Sequence, residues 1–207
     1  MRIVRRWLLV LLALAAPLGA QQRPVPTPAS VAARIDALAL QYQAEGRVAG
    51  LSVAVLHEGQ TVIARGYGVA NLETGEPVTD TTLFAVGSVT KQFATVSALL
   101  LVEAGKLSLD DRVSKWYPML TRAGDIRIRD LVAHVSGYPD YYPLDFVDRR
   151  MAAPATTESI IRRYATGPLD FEPGTRWSYS NTGFLILGRI IERVSGMPFG
   201  RFLETRI

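Results

Sequence analysis

The chain has 207 residues, 48% of them hydrophobic and 20% charged, enough for one sizeable domain preceded by a leader. It has no cysteine and two histidines far apart in sequence, His57 and His134, which excludes disulfides, thiolate metal sites, a cysteine nucleophile and a lipidated cysteine, and speaks against a histidine-rich metal centre. The formal charge is +4, but without residues 1–20, which hold Arg2, Arg5 and Arg6 and no acid, 20 basic residues face 19 acidic ones, so bulk charge gives no support to a nucleic-acid partner.

Residues 1–20 read as a signal peptide: a basic start, an apolar run from Trp7 to Ala16, and a small-residue cleavage site ending at Ala20. The run is too short to span a bilayer comfortably, so the expected product is exported, periplasmic or extracellular, with no membrane span once the leader is gone. Residues 21–29 are Pro-rich and polar and read as a linker. A helix is predicted over 30–45, with Ser30 as its cap and Val31, Ile35, Leu38 and Tyr42 as its apolar spacing. Val48–Leu56 and Thr61–Ala70, separated by the turn cluster His57-Glu58-Gly59-Gln60, predict a β-hairpin. Residues 71–80 read as a loop.

From Ser88 onward the pattern becomes helical. A helix is predicted from Ser88 to Ala104, closed by Gly105, with later helices over 110–116, 128–134, 157–165 and 182–195. Two strands alone do not make an independently stable sheet, and no terminal signal marks the stretch ending at Ile207. The expectation is an architecture cut short.

Three segments carry candidate chemistry. Ser88-Val89-Thr90-Lys91 is an S-x-x-K pattern at a predicted helix start; residues three apart share a helix face, so both side chains point into one cleft. Burial or nearby positive charge lowers a lysine from its free pKa of about 10.4 and makes it a usable base. Alone the tetrapeptide reads as readily as a helix start with an exposed lysine, since about one is expected by chance in a chain this size. Tyr179-Ser180-Asn181 follows a Pro-Gly turn. A phenol beside an ammonium becomes a usable base, and Asn181 offers a donor and an acceptor for orienting Lys91 and a substrate amide. Alone this segment also reads as a loop aromatic and an N-cap asparagine. His134-Val135-Ser136-Gly137 opens a Tyr/Pro-rich loop. An esterase built on His134 and Ser136 is conceivable, but residues two apart on a turn rarely align a base with a nucleophile, and a histidine bonded to backbone is the plainer reading. Gly66-Tyr67-Gly68 lacks the third glycine and the helix of a dinucleotide site. No cofactor or metal is expected.

In combination these segments resemble the serine β-lactamase and penicillin-binding-protein superfamily, in particular the class C β-lactamase-related hydrolases. Phe84 to Phe93 resembles the first active-site motif, Glu103 to Asp111 the segment after it, Ile128 to Gly137 the helix-to-loop signature with Val135 in place of threonine, and Phe171 to Asn181 the second active-site motif. The resemblance runs in order from about residue 30 to the end. It implies an α/β (α+β) fold of the β-lactamase/transpeptidase type, with a helical lobe and an antiparallel sheet lobe that is incomplete here. It further implies Ser88 as the nucleophile, Lys91 and Tyr179 as its acid–base partners and Asn181 as a substrate-binding residue. The reaction implied is hydrolysis through an acyl-enzyme of β-lactams, D-amino-acid peptides or carboxylic esters, small or peptidoglycan-derived. The third family motif, K-T-G or H-x-G, has no match after Tyr179, so 30–207 is expected to be a C-terminally truncated domain. The alternative is a catalytically impaired remnant that binds peptidoglycan or a partner.

Overall fold

Thr27 opens the first helix: its side chain accepts the Ser30 N–H, and Pro28 takes the first helical position, where a missing N–H costs nothing. The cap therefore lies three residues ahead of the predicted one. The structure, a computed structural model, describes residues 27–142 and 153–207; the predicted signal peptide and most of the predicted linker lie outside the described residues. The chain divides after Phe84 into two units.

In the first unit, α1 (Pro28–Ala44) packs on an antiparallel sheet of β1 (Gly50–His57), β2 (Gln60–Asn71) and β3 (Glu76–Pro77), in that order. The hairpin is set by its two-residue loop. Glu58 and Gly59 both take positive φ, 48° and 75°, the primed turn whose twist matches paired strands. Register runs through Gly50↔Gly68 and Ala54↔Ala64, with a bulge after Val55. β3, absent from the sequence reading, pairs with β2. It can do so because Gly66 lets the chain pass: a Cβ there would lie 2.3 Å from the Val78 carbonyl oxygen. Asp36 on α1 accepts from Arg65 and from the Tyr67 hydroxyl on β2, each at 2.7 Å.

The second unit is helical: α2 (Thr90–Glu103), α3 (Ile128–Val132), α4 (Thr157–Ala165), α5 (Asn181–Ser195) and α6 (Phe199–Arg206). α5 is central and packs against α2, α3, α4 and α6. Its apolar face, Ile186, Leu187, Ile190 and Ile191, is fully buried, each side chain contributing about 1.5–3 kcal/mol of burial. Three of the four buried residues of α2 are small, Ala94, Ser97 and Ala98, beside Leu101, which lets α5 approach closely. α2 ends in a Schellman turn. Gly105 sits at φ 67°, and the Lys106 N–H reaches back to the Leu101 carbonyl at 2.9 Å.

One expectation is corrected here. Residues 110–116 form no α-helix, only a 3-10 turn at Val113–Lys115. Their backbone donors and acceptors are spent across the chain instead: Val113 N–H to the Ile126 oxygen, Ser114 N–H to Ala123, and Ile128 N–H to the Asp111 oxygen. Beyond residue 195, where no element is predicted, the chain forms α6, anchored by the buried Phe202.

Candidate active site

All four predicted site residues lie in the second unit. Ser88 sits in a 3-10 turn, Gly87–Val89, and α2 begins only at Thr90. Gly87 has φ 54°, a left-handed value that suits glycine at the bend. Lys91 follows within the first turn of α2, on the same face as Ser88, and its Nζ donates to Ser88 Oγ at 3.3 Å. Tyr179 arrives from the loop before α5 and Asn181 from the first position of α5. The Tyr179 hydroxyl and Ser88 Oγ share a 2.5 Å hydrogen bond, and Lys91 Nζ donates to Asn181 Oδ1 at 2.6 Å. The same ammonium lies 4.6 Å from the centroid of the Tyr179 ring.

The cap of α5 decides which side chain is free for this site. Ser180, not Asn181, caps the helix, accepting the Gly183 N–H at 3.1 Å. Asn181 is the first helical residue, and its amide is released toward Lys91.

Burial pushes the Tyr179 phenol up, but hydrogen bonding to Lys91 and Ser88 and the lysine charge outweigh that effect and hold it below its ordinary value. The hydroxyl facing Ser88 is thus easier to ionise than a free phenol.

The loop bearing Tyr179 is built on the His134-to-Gly137 segment. The His134 carbonyl accepts the Ser178 N–H at 2.9 Å, Val135 accepts from Gly174 at 2.8 Å, and Gly137 accepts from Asp170 at 2.9 Å. Gly137 has φ 81°, and a Cβ there would meet the Phe171 carbonyl oxygen at 2.4 Å. The His134 ring stacks under Tyr179 at 4.6 Å, and its Nδ1 accepts the Ser180 N–H at 3.0 Å. That bond requires Nδ1 to be unprotonated and places any single ring proton on Nε2. Ser136 is buried, 1% exposed, so the His134–Ser136 esterase has no accessible nucleophile. The backbone-bonded reading of the histidine matches the geometry.

Burial, then the Lys91 charge, lowers His134 below 6.5, with Asp140 opposing. Below that pH the unfolded chain takes up a proton that the folded chain refuses. Stability is therefore lost as pH falls from 6.5 toward the folded value. His134→Asn keeps an acceptor in place and tolerates φ 59°. Its urea midpoint should fall less than the parent's between about pH 7 and pH 5; parallel curves would remove His134 as the cause.

Sequence reasoning missed Asp140, which grips Asn181 through both carboxylate oxygens. A cavity of about 340 Å³ lies beside Lys91 and Asn181, with an apolar side of Ala94, Phe184, Leu185 and Phe199 and the charged Arg189 and Glu192 also in its lining. Among the described residues no group of three or more His, Asp or Glu side chains could hold a metal, and no helix is long and apolar enough to cross a membrane.

A helical unit and a unit built on an antiparallel sheet define the β-lactamase/transpeptidase class of fold. Residues 35–207 match the family described as Beta-lactamase, and the chain belongs to that family, within the serine β-lactamase and penicillin-binding-protein superfamily. It is 32% identical to "Esterase EstB" of Burkholderia gladioli, over 86% of this chain and 49% of the esterase. It is 33% identical to "Penicillin-binding protein 4*" of Bacillus subtilis, over 75% of this chain and 35% of that protein. Among solved structures, the D-amino acid amidase of Ochrobactrum anthropi complexed with D-phenylalanine matches with a TM-score of 0.75 and 30% identity, over 86% of this chain and 49% of the amidase. The chain thus spans half or less of the length of these relatives.

Proposed function

We propose that this chain carries the nucleophile half of an exported serine hydrolase that works through an acyl-enzyme on Ser88. The observation that carries the reading is the convergence on Ser88 Oγ of the Tyr179 hydroxyl at 2.5 Å and Lys91 Nζ at 3.3 Å. Tyr179, as phenolate, takes the Ser88 proton while Oγ bonds to the substrate carbonyl carbon. The bond from that carbon to the leaving group then breaks, and the leaving group departs with the proton relayed by Tyr179 and Lys91. Water attacks the resulting ester and frees the acid and Ser88. Lys91 supplies the charge that makes the phenolate accessible; Asn181 fixes Lys91 and offers its remaining amide capacity to a substrate carbonyl. In this reading the Ser88 N–H, in the turn that opens α2, supports the developing oxyanion.

The substrate class is a carbonyl with a modest leaving group: a β-lactam, a D-amino-acid peptide or amide, or a carboxylic ester. The naming of the relatives as an esterase and a D-amino acid amidase supports that range, and the apolar wall of the adjoining cavity suits an apolar acyl portion. The signal-peptide-like pattern of residues 1–20 supports export.

The test is incubation of the chain with a fluorophosphonate, followed by intact-mass and peptide analysis. One adduct on Ser88 is the expected result. A cooperatively folded chain with no adduct, or one modified at Ser136, would overturn the reading, the former in favour of a non-catalytic binding module.

A further inference from the structure

The grip of Asp140 on Asn181 settles something the site needs. Asp140 Oδ1 accepts the Asn181 backbone N–H and Oδ2 accepts its side-chain Nδ2–H, both at 3.0 Å. A carboxylate accepts only and an ammonium donates only. The Asn181 amide stands between the two, and just one orientation satisfies both: nitrogen toward Asp140, oxygen toward Lys91 at 2.6 Å. The flipped amide would set donor against donor at Lys91 and acceptor against acceptor at Asp140. Asp140 is itself held in place. Oδ1 also accepts the Tyr142 N–H at 3.2 Å, and the next residue, Tyr141, donates its N–H to Thr182 Oγ1 at 3.0 Å. Three residues before it, Gly137 is tied to Asp170.

From this geometry we infer that Asp140 is a positioning residue: it locks the Asn181 amide so that its oxygen holds Lys91 against Ser88. The role rests on the acyl-transfer reading of Ser88 and Lys91. Without the lock the amide rotates, Lys91 loses its 2.6 Å anchor, and the weaker 3.3 Å contact to Ser88 no longer selects one lysine conformer. Misplacement on the ångström scale is enough to cost roughly 10²-fold in rate.

The test is a double-mutant cycle on the full chain, Asp140→Asn and Asn181→Ala singly and together. It is read by the rate of fluorophosphonate addition at Ser88 and by hydrogen exchange of the Asn181 amide protons. Asp140→Asn keeps the size and shape of the side chain but offers a donor where Asn181 needs an acceptor. It should slow addition by about 10–100-fold in the parent and by less than about twofold once Asn181 is alanine. It should also speed exchange of the Asn181 backbone and Nδ2 protons. Equal slowing in both backgrounds would mean that Asp140 acts by some other route and would overturn the assignment. So would Asn181 protons that exchange no faster in Asp140→Asn. A parent chain that forms no adduct, yet protects Asn181 protons that Asp140→Asn releases, would sink the hydrolase reading and leave the lock standing.

Discussion

Lys91→Met should slow fluorophosphonate addition at Ser88 by roughly 10²–10⁴-fold, the usual contribution of a positioned acid–base group, while leaving the fold intact. Methionine keeps the unbranched apolar stem, lacks the terminal ammonium, and so removes two things. One is the donor that joins Ser88 to Asn181. The other is the positive charge beside the Tyr179 ring. The second loss should dominate. Burial alone pushes the phenol up, and it is the lysine, with Ser88, that brings it down; without the ammonium, Tyr179 returns toward a poorly ionised phenol and Ser88 loses its base. Asn181 is also left with an amide oxygen lacking its cation. Addition rates followed by intact mass, beside thermal unfolding of both proteins, separate a chemical effect from a folding one. A Lys91→Met chain that reacts within about threefold of the parent, less than 1 kcal/mol of barrier, would remove Lys91 from the mechanism.

The S-x-x-K pair was legible because its spacing is a helical one: any chain that continues as a helix from this point sets the two side chains on one face, whatever else it packs against. Tyr179 was legible by position, since a Pro-Gly turn ahead of an amphipathic stretch presents a loop residue at a helix start. The hairpin followed from two strand-like stretches flanking the turn cluster His57-Glu58-Gly59-Gln60. Other features were hidden because tertiary contacts decide them. Ser180 and Asn181 are both good caps, and nothing local says which one turns inward; Lys91, ninety residues away in sequence, settles it. Asp140 stood in a loop of tyrosines and proline with no pattern around it, and its meaning comes only when Asn181 is folded against it. His134 combines a positive φ and a ring stack that no local pattern encodes, although its bond to backbone, here to the Ser180 N–H, was the plainer reading of the sequence. Residues 110–116 carry helical spacing, yet cross-chain hydrogen bonds to 123–128 satisfied the same backbone at the expense of a helix. β3 is too short, at two residues, to show alternation.

Tyr179→Phe provides the complementary test, because it deletes the oxygen 2.5 Å from Ser88 Oγ and leaves Lys91 in place. Addition at Ser88 should again fall by roughly 10²–10⁴-fold, and the pH profile should identify the base. In the proposed mechanism the reactive form is the phenolate. Its pKa lies below the ordinary 10.0, because the hydrogen bonds and charge of Lys91 and Ser88 outweigh burial and the opposing charge of Asp140. The rate should therefore rise with pH along a limb centred below 10.0 and level off above it. Tyr179→Phe should lose that limb; Lys91→Met should keep a limb but shift it upward, since the phenol then lacks its cation. Were the limb to survive in Tyr179→Phe, the proton would be leaving Ser88 by way of Lys91 itself, and the phenol would be a hydrogen-bond partner only. The two substitutions thus assign the base by the direction in which one profile moves, independently of how much total rate each removes.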